Sequence, residues 1–196
     1  MQNPDVIVAL APVQQAFVKL NIAYYIGGSV ASSVYGLARA TMDIDLVADI
    51  QTQHVPHLVK LLKTTYYIDG DMLTSAIHRH ASFNLIHLET MIKVDIFVLR
   101  LGKYAQSALL RRRQDTLDES TELFYVASAE DTILAKLEWY RLGGETSERQ
   151  WRDVLGVLKV QEGRLDLAYM REWAQELNVS DLLSGALQAA YPQGQG

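Results

Sequence analysis

The chain contains no cysteine. It can build neither a disulfide framework nor a thiolate metal site, a composition that suits a reducing compartment, so the cytoplasm is the expected location. It also lacks an excess of positive charge: 18 Lys and Arg face 23 Asp and Glu, for a net charge of -5. A general nucleic-acid coat would be basic, so that class is excluded, while a local basic channel is not. Long apolar runs are missing too. The longest near the start, Val6 to Ala11, is short and follows Asp5 rather than Lys or Arg, so neither a signal peptide nor a membrane span is expected there. No internal repeat is visible. What is present is 196 residues at 49% hydrophobic content, enough for one compact domain or a core with a helical appendage.

The pattern along the chain changes once. Residues 4–20 form an amphipathic helix with Ile7, Leu10, Phe17 and Leu20 on its apolar face, kinked or late-starting at Pro12. A short strand at 24–26 stops at glycines, a helix follows over 29–37, and 44–48 is a strand. A helix over 54–63 and a short strand at 66–68 come next. Segments 82–87 and 92–99, joined at Glu89-Thr90, read as an antiparallel hairpin, and 122–126 adds a further strand. Beyond Val126 only helices are predicted. Ser128 to Asp131 opens one that runs to Leu142 and stops at Gly143-Gly144. Ser147 to Gln150 opens another, with Trp151, Val154, Leu155 and Leu158 on one face, and two more follow at 166–177 and 180–190. The tail from Pro192 is expected to fray. The fold class is therefore mixed α/β (α+β): a small mixed sheet flanked by helices over residues 1–126, then a helical C-terminal region, 127–196, that completes a cleft.

Three features carry chemistry. In Gly27-Gly28-Ser29 the glycines let backbone approach a phosphate, and the next helix's first amides favour an anion. Alone, this triplet reads as a plain strand-to-helix turn with Ser29 as N-cap. Fourteen residues after Ser29 comes Asp43-Ile44-Asp45. Side chains at i and i+2 of a strand share a face, so two carboxylates stand together while Ile44 and Leu46 turn inward. The bland alternative is a solvated edge whose acids block aggregation. Paired acids repel unless a cation lies between them, and a divalent ion is the usual answer. A third acid, Asp95, alternates against Ile92, Val94, Ile96 and Val98 on its own strand. If that strand neighbours the first, three carboxylates converge and can hold two metal ions about 4 Å apart. Asp95 could also take the proton of an acceptor hydroxyl. Otherwise it pairs with Lys93 on an exposed face.

Together, Gly27-Gly28-Ser29-Val-Ala31, Tyr35-Gly36, Arg39-x-Thr41-x-Asp43-Ile-Asp45-Leu and Lys93-Val-Asp95 resemble the DNA polymerase beta-type nucleotidyltransferase superfamily. Within it the chain looks most like the AbiEii-type branch of abortive-infection toxins, whose third and fourth blocks match Glu130 to Leu137, with Lys136, and Trp151-Arg152-Asp153. The likeness spans about residues 20–160 and departs in the fourth block, where a second Asp often follows and here none does. The resemblance implies transfer of a nucleoside monophosphate from an NTP to an acceptor hydroxyl with Mg2+ (or Mn2+). It assigns Asp43, Asp45 and Asp95 to catalysis and metal holding, and Gly28, Ser29, Arg39, Lys136 and Asp153 to the nucleotide. The acceptor it implies is RNA or protein, with a cognate antitoxin as a possible partner and no membrane. A small-molecule, antibiotic-type transferase is the alternative, and a non-catalytic nucleotide-binding module is a third reading.

Pattern alone treats the remaining candidates more plainly. Lys136 flanks the Ile133–Leu137–Tyr140 stripe and can either reach a cleft or snorkel past apolar neighbours. Asp153 lies opposite the apolar stripe of its helix and reads as a solvated acid. Arg39 either contacts phosphate or pairs with a nearby acid. Arg111-Arg112-Arg113 reads as a solvated run ending a helix rather than a guide for RNA. His78 and His80 read as loop histidines. Trp139, Tyr140 and Trp151 read as helix-packing aromatics.

Overall fold

A computed structural model describes residues 4–37, 41–117 and 122–192. In chain order, α1 (Pro4–Lys19), β1 (Tyr24–Ile26), α2 (Gly28–Tyr35) and β2 (Ile44–Ala48) come first. A short 3-10 turn leads into α3 (Val55–Leu62), then β3 (Tyr66–Tyr67), α4 (Gly70–Arg79), β4 (Ser82–His87) and β5 (Lys93–Val98). They are followed by α5 (Lys103–Arg111), β6 (Arg113–Thr116) and β7 (Leu123–Val126). Four helices close the chain: α6 (Ala129–Leu142), α7 (Glu148–Val160), α8 (Leu167–Glu176) and α9 (Ser180–Ala190).

The strands form one mixed sheet in the order β3-β4-β5-β2-β1-β7-β6. β2 runs antiparallel to β1 and parallel to β5, which is antiparallel to β4 as the hairpin pattern predicts. Period-two alternation decides what each face does. Ile44, Leu46 and Ala48 of β2 and Val94, Ile96 and Val98 of β5 are buried in a cluster with Leu10 and Phe17 of α1, Leu58 of α3 and Leu73 of α4. The alternate residues, Asp45, Val47, Asp95 and Phe97, are only half-buried and face the other way. On that side Trp139 of α6 meets Phe97 edge-on, with ring centroids 5.9 Å apart. The four C-terminal helices bury a second apolar cluster around Ile133, Leu137, Val157 and Ala186, and Tyr35 of α2 packs against both clusters.

Two hydroxyl caps behave as the sequence predicts: Ser128 accepts from the Asp131 amide and Ser147 from the Gln150 amide. Other expectations change. α1 runs through Pro12 without a late start, and α2 begins one residue early, with Gly27 rather than Ser29 at the N-cap. Two elements are additional. α4 starts at Asp69, whose carboxylate caps the Asp71 and Met72 amides, so His78 lies in a helix and His80 is its left-handed C-cap rather than a loop residue. β6 is a wholly polar edge strand, Arg-Gln-Asp-Thr, that carries no apolar signal to read. The arginine run ends a helix as expected, but only Arg113 of it is exposed. Arg111 stacks on the Tyr169 ring at 4.0 Å, and Arg112 on the Tyr125 ring at 4.6 Å.

Arg111 anchors a buried polar knot between α5, α6 and α8. Its guanidinium lies 3.4 Å from Glu130 and 3.9 Å from Asp131, both buried acids of the first turn of α6. Asp131 also accepts from the Ser128 hydroxyl at 2.6 Å and the Tyr169 hydroxyl at 2.7 Å. Burial pushes the Asp131 carboxyl above its ordinary range, against the pull of those hydrogen bonds and of Arg111. Removing the cation leaves two buried acids with poorer compensation. Arg111→Ala is therefore expected to lower stability by about 2–3 kcal/mol. Urea unfolding should show a lower midpoint at unchanged slope; an unchanged midpoint would mean that the knot holds without its arginine.

Candidate functional site

The two carboxylates that matter most are neighbours. Asp45 pairs with Asp95 across the parallel β2–β5 ladder, so their side chains emerge side by side on the half-open face. Asn84 of β4 is opposite Asp95, extending the row. On the other flank the Gly27 amide donates to the Asp45 carbonyl at 2.9 Å, which brings the glycine turn beside the acids. Gly28 sits at φ +55, and a Cβ built there would fall 1.8 Å from Asp45 Oδ2. The carboxylate thus rests against bare backbone at the start of α2, and only glycine leaves it that room.

Asp43 comes just before β2 and is exposed, and its amide is bonded to the Thr41 hydroxyl at 3.2 Å. Its charge still reaches Asp45. Burial raises the Asp45 carboxyl above its usual value, and the negative charges of Asp95 and then Asp43 raise it further, against Lys136 and Lys93. The row is short of positive charge. Lys93 supplies part of it, with Nζ 2.7 Å from Asp95 Oδ2, and that hydrogen bond makes the ammonium hold its proton more tightly than usual. Asp95 thus pairs with Lys93, and its strand neighbours the one that carries Asp45.

Among the described residues no group of three or more acids or histidines is gathered tightly enough to hold a metal ion by itself. The donor set is nevertheless of the kind Mg2+ uses. That ion prefers hard oxygen ligands and is commonly held by one or two carboxylates plus substrate phosphates rather than by an all-protein cage. Two in-register carboxylates with a raised acid between like charges fit such a shared site.

Lys136 and Asp153 complete the other wall. Lys136 is only 8% exposed, and its Nζ bonds Asp153 Oδ2 at 2.8 Å. The Ser32 hydroxyl of α2 lies 3.5 Å from the same oxygen. The wheel reading of Asp153 as a solvated acid is corrected here. α7 packs against α2 and α6 as well as α9, so the face opposite its apolar stripe is also covered. Gly36 permits that approach, since a Cβ there would come within 3.0 Å of the Val157 amide and 2.9 Å of the Ser32 carbonyl. Ser29 occupies the first turn of α2, and its carbonyl accepts from the Ser33 hydroxyl at 2.9 Å. Arg39 lies outside the described residues.

Three residues were not singled out from sequence. Ser32 was hidden inside a small-residue helix. Asn84 becomes visible only through its register with Asp95. Phe97 shares the period-two face of Asp95, which was the available signal. Tyr140 and Trp151 do pack against each other, at 5.5 Å, but Trp139 is 44% exposed and turns to Phe97 instead.

No family profile and no curated protein matches the chain. Solved structures do. A nucleotidyltransferase-like antigenic protein from Paracoccidioides brasiliensis superposes with a TM-score of 0.55 at 18% identity, over 96% of this chain and 94% of that one. The lincosamide antibiotic adenylyltransferase LnuA, solved with lincomycin bound, gives 0.51 at 16% identity, over 81% and 98%. The antibiotic-resistance factor ANT(2'')-Ia gives 0.56 at 12% identity, over 91% and 93%. The chain has the nucleotidyltransferase fold.

Gly28→Ala forces a positive φ on a residue with a Cβ and drives that atom into Asp45. Stability should fall by at least about 1–2 kcal/mol, the cost of the left-handed backbone alone. A melting temperature equal to wild type would contradict the close approach. Asp45→Asn should do the opposite. A raised folded-state pKa means that Asp45 costs stability as pH rises from its unfolded value, 3.8, through the folded one. Without added metal at pH 7, Asp45→Asn is expected to melt about 2–4 °C higher, as ~1 kcal/mol does in a chain of this size. The gain should vanish below the unfolded pKa, and a gain independent of pH would rule out the electrostatic cause.

Proposed function

We propose that this chain is a nucleotidyltransferase that moves a nucleoside monophosphate from an NTP to an acceptor hydroxyl, with Mg2+ or Mn2+. One observation carries the reading: Asp45 and Asp95 stand in register on adjacent parallel strands, against the Gly28 turn. The triphosphate lies along Gly28, Ser29 and the amides opening α2, where backbone N–H groups favour an anion. Lys136 offsets phosphate charge and is aimed by its bond to Asp153. Asp45 and Asp95, with exposed Asp43 beside them, would hold the divalent ion, which would supply charge neutralisation for the phosphates. The acceptor oxygen bonds to the α-phosphorus as the bond to pyrophosphate breaks, and Asp95 takes the hydroxyl proton. Little covalent chemistry falls to the protein; orientation and electrostatics do the work.

In this reading residues 1–126 form the catalytic core, 127–196 close the cleft, and Arg39 adds a phosphate contact. The AbiEii-like resemblance favours RNA or protein as acceptor, a cognate antitoxin, and action in the cytoplasm. No helix among the described residues is long and apolar enough to cross a membrane. A second reading, a small-molecule acceptor, draws support from the likeness to an antibiotic adenylyltransferase and an antibiotic-resistance factor and from Arg111 and Arg112 being engaged in packing. A non-catalytic module has no use for a row of repelling acids.

Each α-labelled NTP should be incubated with the protein, Mg2+ and either cell extract or a glycoside panel that includes lincomycin. Label is expected to pass to one acceptor with release of pyrophosphate. A chelator should abolish transfer, and Asp45→Asn or Asp95→Asn should lower it about a hundredfold to a thousandfold, the scale of losing one preorganised charge contact. Transfer that survives both substitutions overturns the mechanism.

A further inference from the structure

The sheet face beyond Asp95 is uncovered. Ser82 and Asn84 of β4 are exposed on it, opposite Phe97 and Asp95 respectively. β3 is two residues long and pairs only with Ile86 and His87, so among the described residues the edge of β4 away from β5 is unpaired over Ser82–Leu85. Trp139 stands over this face, one helical turn beyond buried Lys136, yet is itself 44% exposed. Its ring meets Phe97 at 5.9 Å, and the Arg100 guanidinium lies 5.9 Å from its centroid. The Asn84 side chain makes no hydrogen bond among the described residues. An exposed indole, a phenyl edge, a hydroxyl and an open amide thus border the acid that would accept the proton.

Charge narrows the occupant. The two cations on this rim are already neutralised, Lys93 by Asp95 at 2.7 Å and Arg100 by Glu138 at 2.8 Å. A nucleic-acid strand needs cations free for its phosphates, and neither Lys93 nor Arg100 is free. An aromatic face beside an amide and a hydroxyl suits a ring that stacks through its C–H face and hydrogen-bonds through its edge. We propose that Trp139, Phe97 and Asn84 form the acceptor subsite, and that it takes a small hydroxylated ring compound of the glycoside type with no net negative charge. This rests on the nucleotidyl-transfer reading above and takes its small-molecule acceptor in place of RNA or protein. The ring presents one hydroxyl to Asp95; its oxygen bonds to the α-phosphorus, its proton passes to the carboxylate, and pyrophosphate leaves.

Saturation-transfer NMR on the full chain, with the same glycoside panel as probes, tests the subsite without requiring turnover. At least one compound should bind wild type. Trp139→Ala and Asn84→Ala should weaken it about tenfold or more, while nucleotide affinity and the melting curve stay unchanged. Asn84 is exposed, so its variant keeps the test valid if Trp139→Ala folds poorly. In turnover the same variants should raise the acceptor KM and spare kcat. Unchanged binding in a folded variant overturns the subsite. So does a protein that binds none of the panel but labels RNA or protein, although nucleotidyl transfer itself then stands. If the transfer reading is wrong, the failure appears in the pyrophosphate assay and not in this one.

Discussion

Two like charges held side by side are the constraint on which the site depends. Asp45 and Asp95 cannot relax apart, because each is fixed between inward-facing apolar residues of a strand, and the two strands are paired in register. The ladder therefore sets the spacing of the carboxylates. The raised Asp45 carboxyl shows that the neighbouring cations do not cancel the burial and repulsion. Lys93 takes up one carboxylate from the exposed side, and Lys136 approaches from the covered side with its own partner already in place. What remains is a site unbalanced toward negative charge. In such a place a divalent ion carrying phosphates, as proposed, would lower the energy of the protein as well as that of the ligand.

Gly28 belongs to the same constraint. The acid row can approach the start of α2 only because nothing projects from that Cα. The left-handed turn that glycine permits also aims α2 across the sheet, where it meets α6 and α7. One backbone position thus couples the acid spacing to the placement of Lys136 and Asp153.

Much of this was legible in the chain because its signals are local. The glycine turn, the alternating strands, the hairpin and the hydroxyl caps are each set by a few consecutive residues. α4 was legible in principle, since Asp69 caps it and Leu73, Ala76 and Ile77 have helical spacing. β6 was not, because an all-polar edge strand depends on its partner rather than on its own side chains. Asp153 was misread for a different reason. A helix wheel assumes one buried face, and α7 has two covered faces, the second created by α2 and α6 arriving from elsewhere in the chain. The register of Asp45 with Asp95 and Asn84 is likewise a tertiary fact: the alternation says which face each occupies but not which residues stand opposite.

The two sides of the cleft are built unequally, and that asymmetry bears on function. Toward α2 the groups are closely packed: Asp45 lies against Gly28, and Lys136 bonds Asp153 with Ser32 nearby. Such a wall is preorganised for one ligand chemistry and tolerates little variation. Toward β4 the sheet is bare, its amide is open, and its aromatic wall is half in solvent. A phosphate chain has the same shape in every nucleotide and can be met by a rigid wall. Acceptors differ in shape, and an uncovered face with a stacking ring can change its specificity by changing two or three side chains without disturbing the acid row. In the proposed reading the fold separates a fixed triphosphate side from an adjustable acceptor side, with Asp95 as the boundary between them.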